Sequence, residues 1–433
     1  MSPFLCGIVG IVVILILLMF GVPIGAAMML VGFIGFAYLA SIKAAFNIIS
    51  TISYGLISNY DWLVLPLFLL MGTVLFRAGL GQSLFKLAYS IFGRLPGGLA
   101  IAALGACSIF SAVSASSIAT AATIGTSAIP AMRSYKYDTG LATGCIAAGG
   151  TLGFLIPPST ILIIYGILTE TSIVKLFIAG IIPGIILTFM FMVMVYGRVR
   201  LNPSIAPRGE TTTFKQKLTA ALECAEVLLL IALVLGGLII GWFTPTEAGA
   251  VAAFGAIVLS LIRRKINWQG LKESVTDAVK TTGMIFFCAI GAFILIPFFA
   301  VSTIPMELAN YIVGLGIHPI LVMGCIIFLY IILGCFIDTM AMVLLTVPIF
   351  FPVVKNLGFD PIWFGILIVL LVEMAMITPP IGMNVYVIAG VAKDVPMETI
   401  FKGIFPFCLT ILAFVILLVA FPQIALFLPG IMK

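Results

Sequence analysis

The chain has 433 residues, 63% hydrophobic and only 8% charged, with a formal net charge of +6. A soluble domain carries about 25% charged residues, so this composition excludes a soluble enzyme and leaves no nucleic-acid-binding module to expect. Apolar runs near twenty residues, as at 8–20, 222–242 and 401–421, are membrane helices, because barrel strands alternate every second residue over only about ten.

In chain order the sequence reads as spans at 4–20, 22–40, 61–77, 139–166, 173–197, 222–242, 246–262, 281–300, 361–391 and 400–425. The first lacks a basic leading segment and is expected to be a span, not a cleaved signal. Amphipathic stretches at 79–93 and 266–280, carrying Lys86 and Lys272, are expected to follow the third span of each half as surface arms. Two further apolar segments, 97–133 and 319–354, are punctuated midway by polar or small residues and followed by Asp138 and Asp360. They are either paired spans or re-entrant hairpins. The eight cysteines form no C-x-x-C pair and read as packing residues. His318 is the only histidine, which argues against a His-based metal site or catalytic triad. No nucleotide motif is present, so uphill work would need an ion gradient or another subunit.

Charge orients the spans. With both ends of 97–133 in the cytoplasm, 17 of the 21 Lys and Arg fall inside, leaving Lys43, Lys175, Lys355 and Lys433 outside. The same count puts both ends of 319–354 and both termini outside. Two hairpins entering from opposite sides suggest an inverted repeat. One constant shift along the chain carries Pro23 onto Pro245, Pro130 onto Pro352, Asp138 onto Asp360 and the Pro157-Pro158 pair onto Pro379-Pro380. The halves are then 1–211 and 222–433, each holding scaffold spans, a hairpin (97–133 or 319–354), a broken helix (139–166 or 361–391) and a last span. The expected fold is an all-α polytopic membrane protein with an inverted-topology repeat, two re-entrant helical hairpins and two broken helices.

The polar punctuation carries the chemistry. In the first half it comprises Ser111, Ser114, Ser116, Ser117 and Thr120, then Gly149, Gly150, Thr151, Gly153, Pro157, Pro158 and Ser159. In the second it comprises Asp338, Thr339 and Met342, then Thr378, Pro379, Pro380, Gly382 and Asn384. A Pro-Pro pair removes two backbone donors and unwinds a helix, which at membrane depth is tolerated only where it lines a cavity. Freed carbonyls and hydroxyls are hard oxygen ligands suited to Na⁺, and half-helix N-termini attract a carboxylate. Against this, small residues in membrane helices commonly serve close packing. Asp338 is the sharpest single residue, since a charge at mid-bilayer costs about 3 kcal/mol or more.

These residues resemble the large membrane subunit of the TRAP (tripartite ATP-independent periplasmic) transporters. The resemblance rests on Gly21-Val-Pro-Ile-Gly, residues 111–125, residues 150–159, Thr244-Pro-Thr-Glu-Ala, Phe336-Ile-Asp338-Thr339 and Ile377-Thr-Pro-Pro-Ile-Gly-Met-Asn384. Ala115 departs from it, standing where Gly is expected at the first hairpin tip. The resemblance implies a bacterial inner-membrane permease coupling Na⁺ entry to uptake of an organic acid such as a C4-dicarboxylate, sialic acid or keto acid. It further implies an elevator motion, a periplasmic substrate-binding protein and a small four-helix membrane subunit, here a separate chain. Beyond the coupling ion Na⁺ no cofactor is implied. By family position Ser114, Ser116, Gly153, Pro157 and Pro158 would frame one cation site. Asp338, Thr339, Thr378, Pro379 and Asn384 would frame the other, with Ser117, Thr120, Ser159 and Met342 toward the substrate.

Two other classes compete. One is a stand-alone Na⁺/carboxylate symporter of similar two-hairpin design. The other is an intramembrane aspartyl enzyme using Asp338 with Glu373, although Phe336-Ile-Asp338 lacks the Gly-x-Gly-Asp of such proteases.

Overall fold

The computed structural model describes residues 1–209, 212–314 and 318–432, and all secondary structure among them is helical. The first half opens with α1 (Pro3–Met19), capped by the Ser2 hydroxyl, and α2 (Ile24–Leu39), which starts after Pro23. An amphipathic α3 (Ile42–Ser58) leads through a 3-10 turn at Tyr60–Leu63 into α4 (Val64–Arg77) and α5 (Leu80–Phe92). Then come α6 (Gly98–Ser114), α7 (Ser117–Ser134), α8 (Thr139–Leu155), α9 (Thr160–Thr169) and α10 (Ile173–Leu201).

The second half holds α11 (Phe214–Ile240), α12 (Pro245–Ile262), α13 (Trp268–Val301), α14 (Ile304–Gly314), α15 (Pro319–Phe336) and α16 (Thr339–Asn356). It ends with α17 (Pro361–Ala375), α18 (Met383–Val391), α19 (Met397–Ala420) and α20 (Gln423–Ile431). Among the described residues nine helices are long and apolar enough to cross a membrane.

The same order of elements is met again at the shift that aligns the prolines. Under it α1 and α2 correspond to α11 and α12, α3 with α4 to α13, and α5 to α14. The series α6 to α10 corresponds to α15 to α19. The caps keep step as well: Ser116 and Asp338 cap α7 and α16, and Asp138 and Asp360 cap α8 and α17.

The helices form two groups. In the frame, α2 lies along α13 and α4 along α12, with α1, α3 and α11 beside them. Backbones approach closely there because a Cβ at Gly291 would lie 2.3 Å from the Gly25 carbonyl oxygen. Arg77 of α4 ties to α13 through Glu273 at 2.5 Å and Asp277 at 2.6 Å. In the core, α8 is surrounded by α6, α7, α17, α18 and α19. Of the most apolar window of 139–169, 83% is buried, against 28% for α11, so α8 with α9 is interior and α11 peripheral. A Cβ at Gly403 of α19 would sit 1.9 Å from the Gly140 oxygen, so that contact with α8 admits only glycine. Between the groups, α5 touches α11 on one side and α6 and α7 on the other, while α14 touches α1, α13 and α16.

Several boundaries differ from the sequence reading. Helix α3 was not anticipated. Its polar face, with Lys43, Asn47, Ser50 and Thr51, breaks the apolar run that marks a span. The stretch 266–280 does not follow the third span of its half. It is the leading part of α13, which runs on without interruption through 281–300, because no proline falls between Trp268 and Pro297. At the shift that aligns the prolines the element corresponding to 79–93 is therefore α14. The last span ends at Ala420, where Pro422 separates it from the short α20.

Candidate functional site

The polar midpoint of each of the two segments 97–133 and 319–354 is a tight turn between two helices. The first is Ala115-Ser116, between α6 and α7. Ala115 takes the left-handed conformation (φ +50°), which reverses the chain directly and suits the glycine expected there. The Ser116 hydroxyl accepts from the Ala119 amide at 3.3 Å, capping α7. Ser114 Oγ lies 2.7 Å from Thr120 Oγ1, and both hydroxyls reach the Ser116 carbonyl oxygen, at 3.2 Å and 2.9 Å. Ser114, Ser117 and Thr120 are buried. Glycine lets neighbours close on this tip: a Cβ at Gly72 of α4 would lie 2.6 Å from the Ser114 oxygen, and one at Gly153 would lie 2.7 Å from the Ser116 oxygen.

The first helix break faces that tip. α8 stops at Leu155 because Pro157 and Pro158, joined by a cis peptide, remove the next amide donors. α9 restarts under a Ser159 cap, whose hydroxyl accepts from the Leu162 amide and donates to the Phe154 carbonyl. Thr160 donates to the Ala115 carbonyl at 3.2 Å, so tip and break are bonded directly. Pro157 and Pro158 are buried.

The second half is built alike but is more open. α15 and α16 meet at Ile337-Asp338, where the exposed Asp338 carboxylate accepts from the Met340 amide at 3.1 Å. Thr339 and Met342 point inward and are buried. α17 ends at Ala375, Thr378 donates to the Met374 carbonyl at 2.5 Å, and the cis pair Pro379-Pro380 is exposed. Gly382, left-handed at φ +49°, starts α18.

Asn384 departs from its expected grouping. Its amide nitrogen donates to Ser117 Oγ at 2.8 Å and to the Ala147 carbonyl at 2.9 Å, and its side chain is fully buried. It joins the first tip to α8, and its hydrogen bonds do not go to Asp338 or Thr339. Gly150 makes room for it: a Cβ there would lie 3.1 Å from both the Asn384 amide nitrogen and the Ser117 oxygen.

The structure thus brings together Ser114, Ser116, Ser117, Thr120, Gly153, Pro157, Pro158, Ser159 and Asn384. Asp338 and Thr339, with Thr378 and Pro379, lie on the second tip and second break. Ser117, Thr120, Ser159 and Met342 are each fully enclosed, so in this conformation they line no open pocket. A cavity of about 680 Å³ opens elsewhere, between α3 and the 3-10 turn on one side and α9 and α10 on the other. Asn59, Asp61, Glu170, Thr171 and Ser172 are among its lining residues.

Among the described residues no cluster of His, Cys, Asp and Glu could hold a transition metal. At the edge of the core, Arg133 of α7 lies 2.9 Å from Asp394 beyond α18, and its guanidinium holds that carboxyl below the usual carboxylate range.

Sequence reasoning missed Gly72, Thr160 and Ala147, whose partners lie far off in the chain. It weighed Glu373 as an intramembrane charge weaker than Asp338, set near an interface or paired with a basic side chain, and as a second aspartyl-enzyme carboxylate. Glu373 is fully buried on α17 and neither carboxyl oxygen has a hydrogen-bond partner.

Comparison with known proteins places these features in one family. Residues 11–424 match the family described as the tripartite ATP-independent periplasmic transporter, DctM component. The chain is similar to the C4-dicarboxylate TRAP transporter large permease protein DctM of Pseudomonas aeruginosa. They are 36% identical over 375 residues, covering 86% of this chain and 87% of that one. It is also similar to the sialic acid TRAP transporter large permease protein SiaM of Vibrio cholerae, at 33% identity over 95% of this chain and 96% of the other. Among solved structures, Neisseria gonorrhoeae MtrF, titled as illuminating a class of antimetabolite efflux pumps, aligns with a TM-score of 0.62. It covers 91% of this chain and 86% of its own at 15% identity, a likeness of fold alone.

Proposed function

The chain belongs to the DctM component family of tripartite ATP-independent periplasmic transporters, and we propose that it couples Na⁺ entry to uptake of an organic acid by an elevator motion. It is a multi-pass membrane transporter subunit. Its place is the bacterial inner membrane, where it works with a small four-helix subunit and a periplasmic binding protein. The cargo is a carboxylate of the class handled by its relatives, such as a C4-dicarboxylate, sialic acid or a keto acid.

The observation that carries this reading is the sealing of an oxygen-rich tip onto a broken helix. Ser114, Ser116 and Thr120 sit against Gly153 beside the Pro157-Pro158 break, with Asn384 reaching across from the other half. Hydroxyls, carbonyls and an amide oxygen gathered without a lysine or arginine among them form an environment for a small hard cation. Asp338, Thr339, Thr378 and Pro379 frame the second cation site. Ser117, Thr120, Ser159 and Met342 border the substrate when the core opens.

The halves 1–211 and 222–433 are read as an inverted repeat, supported by the recurrence of elements at one constant shift and by the 17-to-4 division of basic residues. Under that reading 97–133 and 319–354 are re-entrant hairpins. α5 and α14, which touch both groups of helices, are the arms between frame and moving core.

The test is reconstitution with the small subunit and the cognate binding protein, offering acids one at a time. Uptake is expected only with an inward Na⁺ gradient and without ATP. Uptake at full rate in Na⁺-free buffer would refute the coupling. Robust uptake by this chain alone would replace the reading with a stand-alone symporter.

A further inference from the structure

We propose that Glu373 is a proton-binding site of the core, which holds a proton in this conformation and exchanges it during turnover. The exchange step rests on the transport reading above; the proton occupancy does not.

Glu373 stands close to the end of α17 and is fully buried. Neither carboxyl oxygen has a hydrogen-bond partner among the described residues. An ionised carboxylate so placed is among the costliest arrangements a protein can hold, and neutralisation by a proton or a cation relieves it. A sodium ion needs several acceptor oxygens around it. Among the described residues no cationic side chain is bonded to this carboxyl, and a lone buried carboxyl is neutralised by binding a proton.

The elements packed against α17 supply no countercharge. Asp138 and Asp360 are spent as caps of α8 and α17. Asp338 caps α16. Lys175, Arg198 and Arg200 stand in the end turns of α10, Lys355 in the last turn of α16, and Glu398 and Lys402 at the start of α19. The phenols are engaged, Tyr165 by the Pro361 carbonyl at 2.6 Å and Tyr330 by Thr346. Cys145 and Cys335 bond carbonyls of their own helices. At the companion position of the first repeat, Thr151 donates to the Ala148 carbonyl and needs no ion.

The location supports exchange. α17 packs against α8, and Glu373 precedes the α17 break by one turn. Any rearrangement that opens either break brings water to the carboxyl.

The experiment reads the acid directly. In the reconstituted complex at neutral pH, difference infrared spectroscopy is expected to show a protonated-carboxyl band. Glu373→Gln should remove it and Glu373→Asp should retain it at a shifted position. In deuterium oxide the band should exchange at least tenfold faster during turnover than in the resting protein. Glu373→Gln should slow uptake at least tenfold and flatten its pH dependence.

A spectrum without the band, measured on the unmodified protein and so independent of whether any variant folds, overturns the proposal. A band whose exchange ignores turnover, or Glu373→Gln uptake equal to the unmodified chain at every pH, overturns the exchange step. Should the band and its exchange be present while uptake needs no Na⁺, the transport coupling fails and the proton site stands.

Discussion

Gly153→Ala probes the contact on which the first site depends. The added methyl would stand 2.7 Å from the Ser116 carbonyl oxygen, 2.8 Å from its carbon and 2.9 Å from the Ser117 nitrogen. All three are backbone atoms of the tip, so no side chain can swing aside. Ordinary contact begins at 3.4 Å, leaving the tip to retreat by about 0.7 Å. Overpacking of this kind costs about 1–3 kcal/mol. The displaced groups are the proposed ligands themselves, since the Ser116 oxygen also receives the Ser114 and Thr120 hydroxyls.

If that cost falls on the ion-bound state, Na⁺ affinity drops by about fivefold to a little over a hundredfold, at about 1.4 kcal/mol per factor of ten. The assay is uptake against Na⁺ concentration, with Na⁺-dependent thermal stabilisation as a second readout. The control is Gly390→Ala on α18, where a Cβ meets nothing within 4 Å. Gly153→Ala with an unchanged Na⁺ dependence and a normal yield of folded protein would refute the placement of a cation site at this tip.

Asn384→Ala should lower stability by about 1–3 kcal/mol by leaving buried partners at Ser117 and Ala147 unmatched, read by thermal melting, and should reduce uptake as well. Ala115→Gly should relieve left-handed strain of about 1 kcal/mol, raising the melting temperature while uptake persists. Asp338→Asn keeps a competent cap for α16, so the protein should fold while Na⁺ coupling weakens; unaltered coupling would assign Asp338 to capping alone. Single cysteines at the exposed Ser204 and Gln269, in a background without native cysteines, should resist impermeant thiol reagents in intact cells; labelling of both from outside would reverse the orientation.

The sequence already showed the breaks, because paired prolines remove donors wherever they fall, and both pairs do end a helix. The span lengths were legible for the same reason: long apolar runs have few other uses. The errors arose where polarity and helix length part company. Lys272 and the amphipathic pattern made 266–280 look like a separate surface helix, yet nothing between Trp268 and Pro297 interrupts the backbone, so α13 continues through it. The same misjudgement, reversed, hid α3 beneath its polar face. Asn384 was assigned to a neighbour in sequence motif, whereas its partner Ser117 is 267 residues away. Motif position reports which backbone is broken; only the folded chain reports which hydroxyl the amide reaches.

That long-range bond bears on how a cation could be felt by the whole core. In the present conformation the tip hydroxyls and the Asn384 amide bond one another, so their oxygens are already engaged. A cation placed among them would exchange these neutral bonds for ion–oxygen contacts, and the tip geometry would shift with occupancy. Because Thr160 ties the tip to α9 and Asn384 ties it to α8 and α18, the shift cannot stay local. The tip of the first half and the break of the second are held by one set of hydrogen bonds. Under the elevator reading, ion release would therefore loosen parts of both halves at once, which lets a single small ligand report to a core assembled from both halves of the chain.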